Sequence, residues 1–187
     1  DMDSLFQLLK KETEGFRVIT VGSSAGGYAA TLIGYLLNAE LIYCFSGYFN
    51  LEIVDKETWF YIEQYKNDYS KNKYYKLENY IKTTKTKLIY FYPTRLSDDV
   101  KQAEYIMKYK NDNMAIVGMT SGLHGVCVPK CVVKKLFKNE PEVAFQKIKE
   151  YLDASKGKNT EVSILKYFFG KKLIYYAYKE KVYTKFK

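Results

Sequence analysis

The feature that most constrains this chain is the run Phe16-Arg17-Val18-Ile19-Thr20-Val21-Gly22-Ser23-Ser24-Ala25-Gly26-Gly27. Its apolar, β-branched first half reads as a short buried strand. It enters Gly22-x-Ser24-x-Gly26, and a helical pattern (Tyr28, Leu32, Ile33, Leu36, Leu37) follows from about Gly26 to Leu37. A strand-to-helix turn this tight holds its central serine in a strained conformation, hydroxyl raised at the end of a sheet. Side chains two residues before and two after would meet neighbouring backbone, so both positions favour glycine. Gly27 gives the helix room to pack closely. The helix start behind Ser24 offers free N–H groups and a positive dipole end, with the Ala25 N–H aimed to receive a developing oxyanion. A turn that merely packs strand on helix, or cradles a phosphate, would use similar glycines, so the other loops must decide.

Three further apolar runs follow: Glu40–Phe45, Lys87–Tyr92 and Met114–Gly118. The first is apolar enough to be buried on both faces, as parallel strands are. It empties into the loop Ser46-Gly47-Tyr48-Phe49-Asn50, and Pro93 stops the second. Helical patterns lie between them and around them: Asp3–Thr13 at the start, Val100–Tyr109, and Lys130–Phe137. Alternating strands and helices imply right-handed crossovers and a parallel sheet of about four strands flanked by helices, the α/β class. In such sheets active residues lie beyond the carboxyl ends of the strands. The loops after the first, third and fourth runs carry Ser24, Asp98 with Asp99, and His124, the last being the chain's one histidine. The order Ser, Asp, His matches a hydrolase built on such a turn. A helix N-terminal carboxylate favoured by the macrodipole is the ordinary explanation for one of the two aspartates, and spacing alone does not separate them.

With those three loops in view, the chain resembles the α/β-hydrolase superfamily. More narrowly, it is similar to small bacterial hydrolase-like proteins associated with surface-polysaccharide loci. The resemblance lies in Val-Gly-Ser-Ser-Ala-Gly-Gly-Tyr-Ala-Ala at 21–30, Ser-Asp-Asp-Val-Lys-Gln-Ala at 97–103 and His-Gly-Val at 124–126, and spans about residues 16–137. It implies Ser24 as nucleophile, His124 as base and Asp99 as orienting acid, with Asp98 close behind. Asp99 is favoured by a family pattern Asp-x-x-Gln, met by Asp99 and Gln102. The implied activity is that of a serine esterase or deacylase acting on a small acyl ester, with an O-acylated saccharide as one substrate class. No cofactor and no metal are implied. An ordinary member carries four more strands before the serine turn, where this chain has about fifteen residues. The implied fold is therefore a partial one, its first strand at an exposed edge, and its second oxyanion donor cannot be named. An open edge invites pairing, so either a homodimer through that edge or a piece of a longer protein is expected.

The implied organisation is a hydrolase-like domain over 1–139, with a lid-like helical insertion at 55–84, and a helical C-terminal extension over 140–187. Tyr48, Phe49 and Trp59 are candidates for substrate-binding walls, and equally for ordinary core or surface aromatics. In the extension, Pro141–Leu152 and Val162–Phe186, broken near Gly170, read as helices. They could cover the sheet, mediate dimerisation, bind a partner, or lie on a membrane surface.

Composition sets the outer bounds. At 187 residues and 47% hydrophobic, the chain can bury a real core. It has no apolar run of roughly 18 residues, the length that would cross a membrane, and no leader pattern at Asp1-Met2-Asp3-Ser4, from which a cytoplasmic location is expected. Cys44, Cys127 and Cys131 lack the paired spacing of a zinc site and read as idle thiols. The net charge of +9 comes from 30 Lys and Arg against 21 Asp and Glu. A basic chain can serve nucleic acid or an anionic membrane, but these residues are nearly all Lys, spread along the chain, with no nucleic-acid reader motif. The competing class is a catalytically inactive hydrolase fold used for binding or assembly.

Overall fold

The computed structural model describes residues 1–53, 74, 77–81 and 85–170. Four strands, β1 (Ile19–Ser23), β2 (Leu41–Phe45), β3 (Lys87–Pro93) and β4 (Met114–Met119), form one sheet in the order β1-β2-β3-β4, every pairing parallel. Among the described residues seven helices accompany it: α1 (Met2–Glu12), α2 (Ala25–Leu36), α3 (Glu78–Ile81), α4 (Ser97–Met107), α5 (Lys130–Phe137), α6 (Pro141–Ser155) and α7 (Glu161–Phe169). The expected α/β class, with a short parallel sheet flanked by helices, is the fold observed. Most of the 55–84 segment, Trp59 included, and residues 171–187 lie outside the described residues.

Side chains alternate across the sheet with period two, and each face has its own core. Leu41, Tyr43, Phe45, Ile89, Phe91 and Val117 point to one face, where Val132 and Leu136 of α5, Phe145 and Ile148 of α6, and Ile164 and Phe168 of α7 cover them. Ile42, Cys44, Leu88 and Tyr90 point to the other, beneath Leu32 and Tyr35 of α2 and Ala103 and Ile106 of α4. Every residue of β2 is buried, as its unbroken apolar run implies. Residues 141–169 thus belong to the cover of one sheet face. Pro141 opens α6, where its missing N–H costs nothing. A reciprocal Thr160–Ser163 capping box opens α7, and Gly170 at φ 53° ends it.

Three details differ from the sequence reading. The first strand is not buried. It begins at Ile19 and, among the described residues, pairs with β2 alone, and Ile19 and Val21 on one face remain 46% and 50% exposed. An apolar β-branched run carries the same signal at an edge as in a sheet centre. The helix after β3 starts at Ser97 rather than Val100, so Asp98 and Asp99 occupy its first turn, not a loop. Its N-cap is Leu96, which has no side chain to signal the start, while acids in a first turn suit the helix dipole. The first helix forms, with Asp1 capping the Ser4 N–H at 2.8 Å, but buries none of its residues.

Replacing Phe145 with Ala empties a site in the sheet–helix core, where the ring is 3% exposed. A loss of about 3–5 kcal/mol is expected in urea unfolding. A much smaller loss would mean that α6 is not part of the cooperative core.

Candidate active site

The carboxyl ends of the four strands form one rim, set by hydrogen bonds one step beyond the strands. Ser24 N–H donates to Phe45 O (2.9 Å), Ser46 N–H to Phe91 O (2.8 Å), and Thr94 N–H to Met119 O (2.8 Å). Residues 24 and 46 therefore leave the sheet at matched heights, and residue 94 two residues further along β3.

Ser24 sits at φ 56°, ψ −124°, left-handed backbone that a serine adopts only under constraint. The constraint is the turn itself. Gly27 N–H donates to Ser24 O at 2.9 Å, starting α2 at once. A Cβ at Gly22 would lie 1.9 Å from Gly26 O, so position 22 admits glycine only. Position 26 is different: a Cβ there meets nothing within 4 Å, and the expected collision on that side of the serine does not exist. The second close approach belongs to Gly27, whose Cβ would lie 2.8 Å from Gly47 Cα. Glycine at 27 lets α2 rest directly on the loop that follows β2.

His124 Nε2 lies 2.8 Å from Ser24 Oγ, and His124 Nδ1 lies 2.9 Å from Asp99 Oδ2. Three elements spread over a hundred residues of chain thus meet in one hydrogen-bonded line. An ionised carboxylate only accepts, so Nδ1 carries the proton toward Asp99 and Nε2 is left to accept from the serine hydroxyl. The Asp99 side chain is 4% exposed, while that of His124 is 35% exposed. The acid is fixed in protein and the imidazole stands at the surface. Asp98, its neighbour, faces Lys101 instead, its Oδ1 3.6 Å from the ammonium. The two aspartates differ by one step of helix rotation, and only Asp99 shares the buried face with Gln102, Ala103 and Ile106.

Ala25 opens α2, so its N–H is one of the first-turn donors without a helical acceptor, directly beside Ser24. The Tyr48 ring lies 5.7 Å from the His124 ring at 33°. Burial, then the charges of Asp99 and Asp98, push its phenol above the ordinary value, which keeps it neutral beside them. Phe49 is only 1% exposed and packs edge-on against Tyr90 at 4.8 Å, a core residue rather than a pocket wall. Its aromatic type gave no clue to depth, and the turn that carries it buries it. Exposed Leu123 and Val126 flank His124 in the chain.

Two buried residues of this region escaped a functional reading. Ser46, at φ 47°, donates its hydroxyl to Gly125 O (2.9 Å), tying the loop after β2 to the histidine loop. No glycine marks that left-handed position. Gln102 accepts at Oε1 from Phe49 N–H (2.7 Å) and Asn50 N–H (2.9 Å), and donates from Nε2 to Asn50 O (2.7 Å). Its sequence signal, a glutamine one turn after an acid, marked a pattern but not this contact.

Two of the three thiols are held in the protonated form. Burial pushes both Cys44 and Cys127 up to about 12, with Asp99 adding to the effect at Cys127. Among the described residues no group of three or more His, Cys, Asp or Glu side chains is placed to hold a metal ion, and no helix is long and apolar enough to cross a membrane. Two concavities, of about 280 and 680 Å³, lie at the opposite, amino end of the strands around Arg17 and Glu40, and neither borders Ser24, Asp99 or His124.

Two measurements follow from this geometry. Gly22→Ala should fail to fold or melt far below the parent, whereas Gly26→Ala should stay within about 1 kcal/mol of it by thermal denaturation. Iodoacetamide at neutral pH should leave Cys44 and Cys127 of the folded chain unmodified by mass spectrometry, since the thiolate is the reacting form. No protein-family model matches this chain and no curated protein does; its four-stranded parallel sheet flanked by helices is compatible with an α/β-hydrolase.

Proposed function

We propose that this chain is a serine hydrolase of the esterase or deacylase type, a partial member of the α/β-hydrolase superfamily. The observation that carries the reading is the line Ser24 Oγ, His124 Nε2, His124 Nδ1, Asp99 Oδ2, with its two separations of 2.8 and 2.9 Å. Four features otherwise unrelated serve that line: left-handed backbone at a serine, a glycine-only position before it, a buried acid, and a histidine on a glycine-flanked loop.

The reaction is acyl transfer to water. Ser24 Oγ attacks the ester carbonyl carbon as its proton passes to His124 Nε2. The carbonyl oxygen takes the negative charge and accepts from the Ala25 N–H at the positive end of α2. Asp99 holds the imidazole in the required tautomer and stabilises the imidazolium. Nε2 returns the proton to the departing alcohol, leaving an ester on Ser24. Water then gives a proton to Nε2, attacks that ester, and releases the acid as Oγ is reprotonated. The substrate class is a small acyl ester, with O-acylated saccharides as the first to test. Tyr48 beside His124 is an aromatic surface suited to a sugar face. The exposed first strand supports pairing with a second copy of the chain.

That same edge favours a second reading. Among the described residues no strand of the sheet lies beyond β1, so Ala25 is the one oxyanion donor that can be named, and a hydrolase fold kept for binding or assembly would tolerate this. A fluorophosphonate probe separates the two. Covalent labelling at Ser24, absent in Ser24→Ala and His124→Ala, supports the enzyme; a folded chain that stays unlabelled supports the binding role. In the enzyme, Asp99→Asn should slow labelling by roughly 10³-fold or more, since an amide no longer fixes the imidazole tautomer, whereas Asp98→Asn should stay within about threefold, its partner being Lys101.

A further inference from the structure

We propose that Gln102 is a positioning residue for His124, acting through the turn at 48–50. The proposal rests on the reading of His124 as the base. His124 is held by Asp99 at one nitrogen, yet it stands on a surface loop that turns through Gly125 at φ 103°. The bonds to Asp99 and Ser24 hold the edge of the ring at its two nitrogens, and neither backs its face. The Tyr48 ring lies beside that face, 5.7 Å away.

Tyr48 itself lies on a connection between β2 and the residues that follow, and needs an anchor. Gln102 supplies it. Its side-chain amide uses both ends: the oxygen accepts the Phe49 and Asn50 N–H groups, and the nitrogen donates to Asn50 O, all within 2.9 Å. With Asn50 this forms a two-bond pairing like that between adjacent strands. Gln102 is 1% exposed, so its amide has no water to turn to. Gln102 also stands one helical turn after Asp99 on the same buried face of α4. The helix turn that grips His124 Nδ1 therefore also grips the backbone carrying Tyr48. The spacing between acid and backing ring is set inside a single rigid element. Ser46, bonded to Gly125 O at 2.9 Å, closes the remaining side by joining the start of the same turn to the histidine loop.

The chain's single histidine makes the test clean. In full-length protein labelled with ¹⁵N-histidine, every imidazole signal belongs to His124, and the Nδ1–H held by Asp99 gives a far-downfield proton resonance. In Gln102→Met, which keeps the volume and removes all three hydrogen bonds, that resonance should broaden or vanish. The midpoint of fluorophosphonate labelling against pH should move, and the labelling rate should fall between about tenfold and 10²-fold. A Gln102→Met protein that only melts lower, with the resonance and the pH midpoint unchanged, overturns the proposal. If Gln102→Met does not fold, Tyr48→Ala with Gln102 intact decides. Loss of the downfield resonance supports the proposal, and its retention overturns it. Absence of labelling in the parent protein would count against the hydrolase reading alone, because the imidazole resonances report the positioning without any reaction.

Discussion

The arrangement depends on the parallel register of four short strands. Ser23 pairs with Phe45, Phe45 with Phe91, and Phe91 with Val117, a single row across the sheet. One step beyond that row the backbone bonds from Ser24 and Ser46 continue the ladder, and Thr94 extends it past the Pro93–Met119 pair. A slip of one residue would turn each strand's apolar set to the wrong face, so the cores on the two sides hold the register. The register in turn holds the rim. The strained backbone at Ser24, of a kind that costs roughly 1–3 kcal/mol, persists because a buried neighbour strand and an immediately following helix leave it no alternative.

Much of this was legible in the residues. Four apolar runs separated by helical patterns are enough for a parallel sheet, and Gly22-x-Ser24-x-Gly26 locates the sharp turn. The order of Ser24, the aspartate pair and His124 follows from the loops that carry them. What was not legible has specific causes. Asp98 and Asp99 are adjacent, and their separation depends on the rotational phase of α4, which begins three residues earlier than its apolar pattern shows. Gly26 and Gly27 look alike in the sequence, but only Gly27 faces another backbone. Phe49 and Tyr48 are both aromatic in one loop, and one goes under while the other stays beside the imidazole. Ser46 adopts positive φ with no glycine to announce it.

Residues 130–169 contribute packing rather than chemistry. Val132, Phe145, Ile148 and Phe168 cover the sheet face that α2 and α4 leave bare. Ion pairs at the amino end of the strands, Arg17 with Glu40 and Glu140 at 2.7 Å each, are solvent-exposed and of small energetic weight. The division is spatial: the carboxyl rim holds the strained, polar constellation, and the amino end is ordinary surface.

The strand order has one more consequence. Because spatial order repeats chain order, each strand after β1 lies beside the one that precedes it in the chain. The hydroxyl at the turn follows the first strand, and the carboxylate follows the third. The imidazole comes last, in the loop after β4. On the proposed reading, a chain that stops short of that loop carries a serine with no imidazole to take its proton.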